Sequence, residues 1–165
     1  MKVNVKKLHE AAKVPQYAKD GDAGLDLTAT SRRMDPKGFI EYGTGLAFEI
    51  PDGHVGLIYP RSSVSKMNMS LANCVGVIDS GYRGEVCLRF KPATAGREIY
   101  DVGDRVGQLI IMPYPKIELN EVDDLSETSR GSGGFGSTGK THKFINESGL
   151  VEEFTLEEEL GEKNT

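Results

Sequence analysis

Gly45-Leu46-Ala47-Phe48-Glu49-Ile50-Pro51-Asp52-Gly53-His54-Val55-Gly56-Leu57-Ile58-Tyr59 reads as two short β-type segments, residues 45–50 and 54–59, broken by Pro51-Asp52-Gly53. Proline presets φ for a turn, aspartate bonds to its own backbone and glycine supplies a positive φ, so the break has a mechanism. The same construction recurs outward in both directions. Residues 2–8, 38–42, 70–78, 84–90 and 105–112 alternate in the same way, bounded by turn chemistry such as Asp101-Val102-Gly103-Asp104. Before residue 146 no stretch keeps a helical apolar period beyond about two turns, and residues 61–69 are the best candidate for one short helix. Strands at this spacing without interleaved helices predict an all-β sandwich or barrel.

With 165 residues the chain holds one domain and has no room for a second full-sized core. Its 20 glycines, about 12% against a usual ~7%, imply many tight turns or backbone brought close to a ligand. The net charge of −5 argues against a whole-surface grip on nucleic acid. That charge sits in residues 141–165, where seven glutamates face only Lys143 and Lys163. Apolar runs such as residues 109–112 are too short to cross a bilayer, so no membrane partner is expected. The opening MKVNVKKLHE lacks the apolar core of a signal peptide. The default compartment is therefore the cytoplasm, bacterial or that of a virus-infected host cell. Two cysteines without a CxxC spacing and three scattered histidines argue against a disulfide scaffold or a zinc site.

Three regions follow: a β-rich core over residues 1–122, a polar arm over 123–140 and an acidic tail over 141–165. The arm holds almost no apolar residue except Leu125 and Phe135, so it should be mobile. In the tail, Leu150, Val151, Phe154 and Leu160 lie at roughly helical spacing after Ser148, which suggests a short acidic helix or a solvated tail.

Two local patterns mislead. Gly134 to Thr141 satisfies GxxxxGK[ST], but a P-loop needs an apolar strand before it and a helix after it. The preceding Ser126-Glu127-Thr128-Ser129-Arg130 cannot be a buried strand. Ser63-Val64-Ser65-Lys66 matches SxxK without its SDN and KTG partners and is discarded. Free N–H groups beside Arg130 would nonetheless suit a polyphosphate.

Residues 73–86 read as a hairpin with Asp79 at the tip of an apolar strand. With Ser80-Gly81 as a two-residue loop, Cys74 and Cys87 would face each other, and in the cytosol they would stay reduced.

Five segments in order decide the reading: Asp22-Ala23-Gly24-Leu25-Asp26-Leu27, Pro60-Arg61-Ser62-Ser63, Gly76-Val77-Ile78-Asp79-Ser80-Gly81-Tyr82-Arg83-Gly84, Gly103-Asp104-Arg105-Val106-Gly107-Gln108-Leu109, and Arg130 to Gly139. The chain resembles the trimeric dUTPase family over about residues 1–140. It departs at Gly81, where an acidic or amide residue is frequent, at Ser63, where glycine is common, and in the tail.

The resemblance implies a jelly-roll-like homotrimer that hydrolyses dUTP to dUMP and pyrophosphate, keeping uracil out of DNA and supplying dTMP synthesis. Asp79 is then the general base, and Asp26 holds Mg²⁺ through water. Arg61, Ser62, Ser63 and Gln108 correspond to phosphate-contacting positions, and Arg130 to a γ-phosphate clamp. Asp104 and Arg105 read as a turn acid and its ion-pair partner. Asn73, Gly76, Val77, Ile78 and Cys87 line the uracil and deoxyribose slot, and Tyr82 packs under the sugar. Phe135 closes over the base, with Gly136, Ser137 and Thr138 in the same arm. Each site draws on neighbouring subunits. A deaminase acting on dCTP and a dUTP-switched regulatory protein with the acidic tail as its partner surface are the rival readings.

Overall fold

The computed structural model describes residues 1–92 and 98–134, with the backbone of residues 141–145 and 151–155. It divides into two units, Met1–Glu118 and Leu119–Thr165. In the first unit the chain runs through β1 (Asn4–Lys7), β2 (Leu25–Thr28), β3 (Ser31–Met34), β4 (Ile40–Gly43), β5 (Leu46–Glu49) and β6 (His54–Tyr59). A single 3-10 turn, Ser62–Lys66, follows, then β7 (Met69–Leu71), β8 (Gly76–Ile78), β9 (Cys87–Pro92) and β10 (Arg105–Pro113). The all-β expectation holds, and the expected short helix is that 3-10 turn. No helix among the described residues is long and apolar enough to cross a membrane.

Two four-stranded antiparallel sheets carry the unit, ordered β2-β10-β6-β8 and β3-β4-β9-β7, with β1 and β5 paired beside them. The chain passes repeatedly from one sheet to the other, in jelly-roll fashion. Alternation, with a bulge between Arg105 and Gly107 that lets Val106 join Leu109, turns Leu27, Ile58, Val106 and Leu109 of the first sheet inward, and Ile40, Tyr42, Leu88 and Phe90 of the second, into one apolar cluster. At its centre the rings of Tyr42, Phe90 and Tyr100 meet edge to face, with centroids 5.7–6.0 Å apart. The buried Tyr42 hydroxyl donates to the Tyr100 carbonyl at 2.9 Å. Burial pushes the Tyr42 pKa up, so the phenol stays neutral.

Three expectations are corrected. Residues 70–78 are two strands in different sheets, because the chain turns at Cys74, whose φ is +60°, and Cys74 N–H closes on the Leu71 carbonyl. Residues 79–86 are consequently a crossover between sheets rather than a two-residue hairpin, and both cysteines are free thiols. In the second unit, β11 (Thr141–Ile145) pairs antiparallel with β12 (Val151–Thr155), so Val151 and Phe154 lie on a strand and not a helix. β-Branched and aromatic residues at both strands favour that outcome over the helical spacing. The same pairing disposes of a P-loop: Thr141 opens a strand, and residues 114–134 contain none.

Phe90 is fully buried at the ring cluster. Phe90→Ala should cost about 3–5 kcal/mol in urea unfolding, the usual loss for a truncated core aromatic.

Candidate active site

Leu27 and Leu109 point into the core, so their strand neighbours Asp26 and Gln108, opposite each other in register, leave it on the other face. Arg61 follows β6 in extended conformation just before the 3-10 turn. Its Nε donates to Asp26 Oδ1 at 2.8 Å and its Nη2 to Oδ2 at 3.4 Å. Arg105 Nη1 reaches Asp26 Oδ2 at 3.0 Å. One carboxylate thus holds two guanidinium groups at the wall of a cleft of about 350 Å³, which Asp22, Ser62 and Gln108 also line. Gln108 Nε2 donates to the Pro60 carbonyl at 3.0 Å, and Gly24 leaves room for its side chain, since a Cβ there would run into Gln108 Oε1. The Ser63 hydroxyl shares a 3.1 Å hydrogen bond with Tyr100 Oη.

Arg105 is the residue that sequence reasoning misplaced. It pairs with Asp26 rather than Asp104, whose carboxylate accepts from the Asp101 N–H at 2.8 Å. No local pattern signals that pairing, which joins residues 79 apart.

Among the described residues no three His, Cys, Asp or Glu side chains converge as metal ligands. Asp26 and Asp22 beside two arginines suit a polyanion accompanied by a hydrated cation that leans on one or two carboxylates and on the ligand's own oxygens.

Asp79 lies elsewhere. Ile78 pairs with Gly56, so Asp79 follows at the level of Val55, and with Ser80, His54, Val55 and Tyr114 it lines a separate concavity. Gln108 is opposite Tyr59 at the other end of β6. Four strand residues, roughly 13 Å of rise, separate the two levels, and Arg61 stands beyond the farther one.

Next to Asp79, Val77 is 62% exposed and Asn73 is exposed, while Gly76 is buried against Ile58. The Tyr82 hydroxyl donates to the Glu85 carbonyl at 3.0 Å. Cys87 opens β9 on the other sheet. In the second unit Arg130 Nε donates to the Gly133 carbonyl at 3.1 Å. Phe135, Gly136, Ser137 and Thr138 lie outside the described residues.

The dUTPase family model matches residues 10–139. The chain belongs to the dUTPase family. A deoxyuridine 5'-triphosphate nucleotidohydrolase of Alkaliphilus metalliredigens is 40% identical over 141 residues, covering 83% of this chain and 96% of that protein. One from Rhodococcus erythropolis is 42% identical over 146 residues, covering 84% and 87%. Among solved structures, the dUTPase of Staphylococcus bacteriophage 80alpha with dUPNHPP superposes with a TM-score of 0.71 at 29% identity, covering 84% of this chain and 99% of that one. A mutant dUTPase from phage phi11 of S. aureus, described with a structural Mg(II) ion, gives 0.65 at 26% identity, covering 75% and 98%.

In this dUTPase the Cys87 thiol is pushed up to about 11, by desolvation first and then by the carboxylates of Glu85 and Glu41. Thiolate is the reactive form, so iodoacetamide labelling of Cys87 should keep accelerating beyond about pH 10. Residue-resolved mass spectrometry checks this, and a plateau by about pH 9 would contradict it.

Proposed function

We propose that this dUTPase hydrolyses dUTP to dUMP and pyrophosphate by attack of water on the α-phosphorus. The observation that carries the reading is the Asp26 carboxylate gathering Arg61 and Arg105 into one cleft with Ser62 and Gln108. Two fixed guanidinium forks, amide and hydroxyl donors form a ready receptor for phosphate oxygens. Ser63 extends that turn, steadied by Tyr100.

Asp79 takes a proton from the attacking water as the oxygen–phosphorus bond forms. The bond from the α-phosphorus to the bridging oxygen breaks, and pyrophosphate leaves with the electron pair. Arg61, Arg105 and Arg130 meet the charge that develops on it. Mg²⁺ bound with the substrate supplies further charge neutralisation, and Asp26 with Asp22 would hold it through its waters.

Uracil enters the slot beside Asn73, Gly76, Val77 and Ile78, with Cys87 at its border. Donors and acceptors left unpaired by cytosine reject dCTP. Tyr82 fills the space of a 2′-hydroxyl, and Phe135, Gly136, Ser137 and Thr138 of the arm cover the bound nucleotide. The two separated clusters along β6 favour a homotrimer in which Asp79 of one chain faces the arginine cleft of another. The reaction keeps uracil out of DNA and supplies dUMP for dTMP synthesis, and the seven glutamates of residues 141–165 would suit a basic protein partner.

Asp79→Asn should lower pyrophosphate release from dUTP by at least ~10²-fold while binding of a non-hydrolysable dUTP analogue persists. Turnover near the wild-type rate would remove Asp79 from its role. Faster turnover of dCTP than dUTP by the unmodified enzyme would reject the substrate assignment.

A further inference from the structure

The crossover that carries Asp79 and Tyr82 is held to the body of the protein by a carboxylate outside the roles assigned above. Glu85 Oε1 accepts the Gly45 N–H at 2.7 Å, reaching the turn between β4 and β5. That N–H is presented by a left-handed backbone, with φ at +66°. The carboxylate occupies space that only glycine leaves at Gly43, where a Cβ would lie 2.6 Å from Glu85 Oε1 and 2.5 Å from Ser31 Oγ. Immediately downstream, Val86 is tied to the same turn through its N–H to the Leu46 carbonyl at 2.9 Å and its carbonyl to Thr44 Oγ1 at 2.7 Å. Upstream, the Glu85 carbonyl accepts the Tyr82 hydroxyl at 3.0 Å. The Tyr82 ring lies over Gly84, where a Cβ would run into the hydroxyl oxygen. The Val86 carbonyl also accepts the Thr44 N–H at 3.3 Å, and the polar ties of residues 79–84 are local or exposed. Arg83 donates to the Ser80 and Tyr82 carbonyls, and its ion pair with Glu49 spans 3.6 Å between side chains that are both more than half exposed.

We propose that Glu85 is a positioning residue for sugar discrimination. Its carboxylate, seated between Gly43 and Gly45, acts together with the Val86 N–H bond to Leu46 of the same peptide to fix the carbonyl that holds the Tyr82 hydroxyl, and so the ring that meets the sugar. The inference rests on the reading of Tyr82 given under the proposed function. Losing the seat lets the ring swing away and admits a 2′-hydroxyl, whereas a general loss of stability would lower activity on dUTP and UTP alike.

The experiment is the ratio of kcat/KM for dUTP over UTP, measured on purified full-length Glu85→Ala, Glu85→Gln, Tyr82→Phe and Tyr82→Ala. Glu85→Ala should lower the ratio about tenfold, the scale of one charge-assisted hydrogen bond. Glu85→Gln keeps an acceptor oxygen and should recover most of it, and Tyr82→Phe should lower the ratio without adding to the effect of Glu85→Ala. An unchanged ratio in folded Glu85→Ala, or a Gln variant no better than Ala, overturns the proposal. If Glu85→Ala does not fold, an unchanged ratio in Tyr82→Phe overturns it instead. Tyr82→Ala separates the two levels: an unchanged ratio there rejects the reading of Tyr82, and a lowered ratio with an inert Glu85→Ala rejects the role of Glu85 alone.

Discussion

Strand β6 pairs with β10 on one side and with β8 on the other, and its register constrains everything functional in the first unit. At the end where Tyr59 leads into Pro60 and Arg61, two arginines gather on Asp26. At the other end Asp79 emerges beside Val55. Both clusters are anchored to one strand paired on both sides, where a one-residue slip would turn every side chain to the opposite face. The two clusters therefore lie apart within one chain, and this is the gap that the proposed shared site of a homotrimer would bridge.

Charge explains why Asp26 is framed by two arginines. Arg61 holds the carboxylate through two nitrogens, and the more exposed Arg105 adds a third hydrogen bond to it. Sharing the carboxylate orients both forks, and in the proposed reaction their remaining N–H groups meet phosphate. The contribution to stability is small, and the gain lies in preorganisation. The same economy holds at Glu85, whose carboxylate is matched to backbone rather than to another charge.

The fold was legible in residues 45–59 because alternation and turn chemistry agree there, and the same agreement located β1, β4, β9 and β10 to within a few residues. Strand β3 escaped because Ser31, Arg32, Arg33 and Met34 are all exposed, so no apolar period marks them. The break between β7 and β8 escaped because Cys74 takes a left-handed conformation that its residue type does not advertise. Of the site, Asp26, Arg61, Ser62 and Gln108 were found from their motifs, and the structure assembles them in one cleft. Arg105 was not, since its partner lies on the neighbouring strand β2, far away in sequence. The tail's helical spacing was a weak signal that β-strand pairing overrode.

A site that needs Asp79 and Arg61 from different chains is the feature most open to direct test. Co-refolding Asp79→Asn with Arg61→Ala, each expected to be inactive alone, supplies that test. If the two residues meet across an interface in a closed ring, random mixing leaves roughly a quarter of sites with both intact. Mixed trimers verified by native mass spectrometry should then recover about that fraction of wild-type dUTP hydrolysis. No recovery in verified mixed trimers would place both residues of each site on one chain and contradict the shared site.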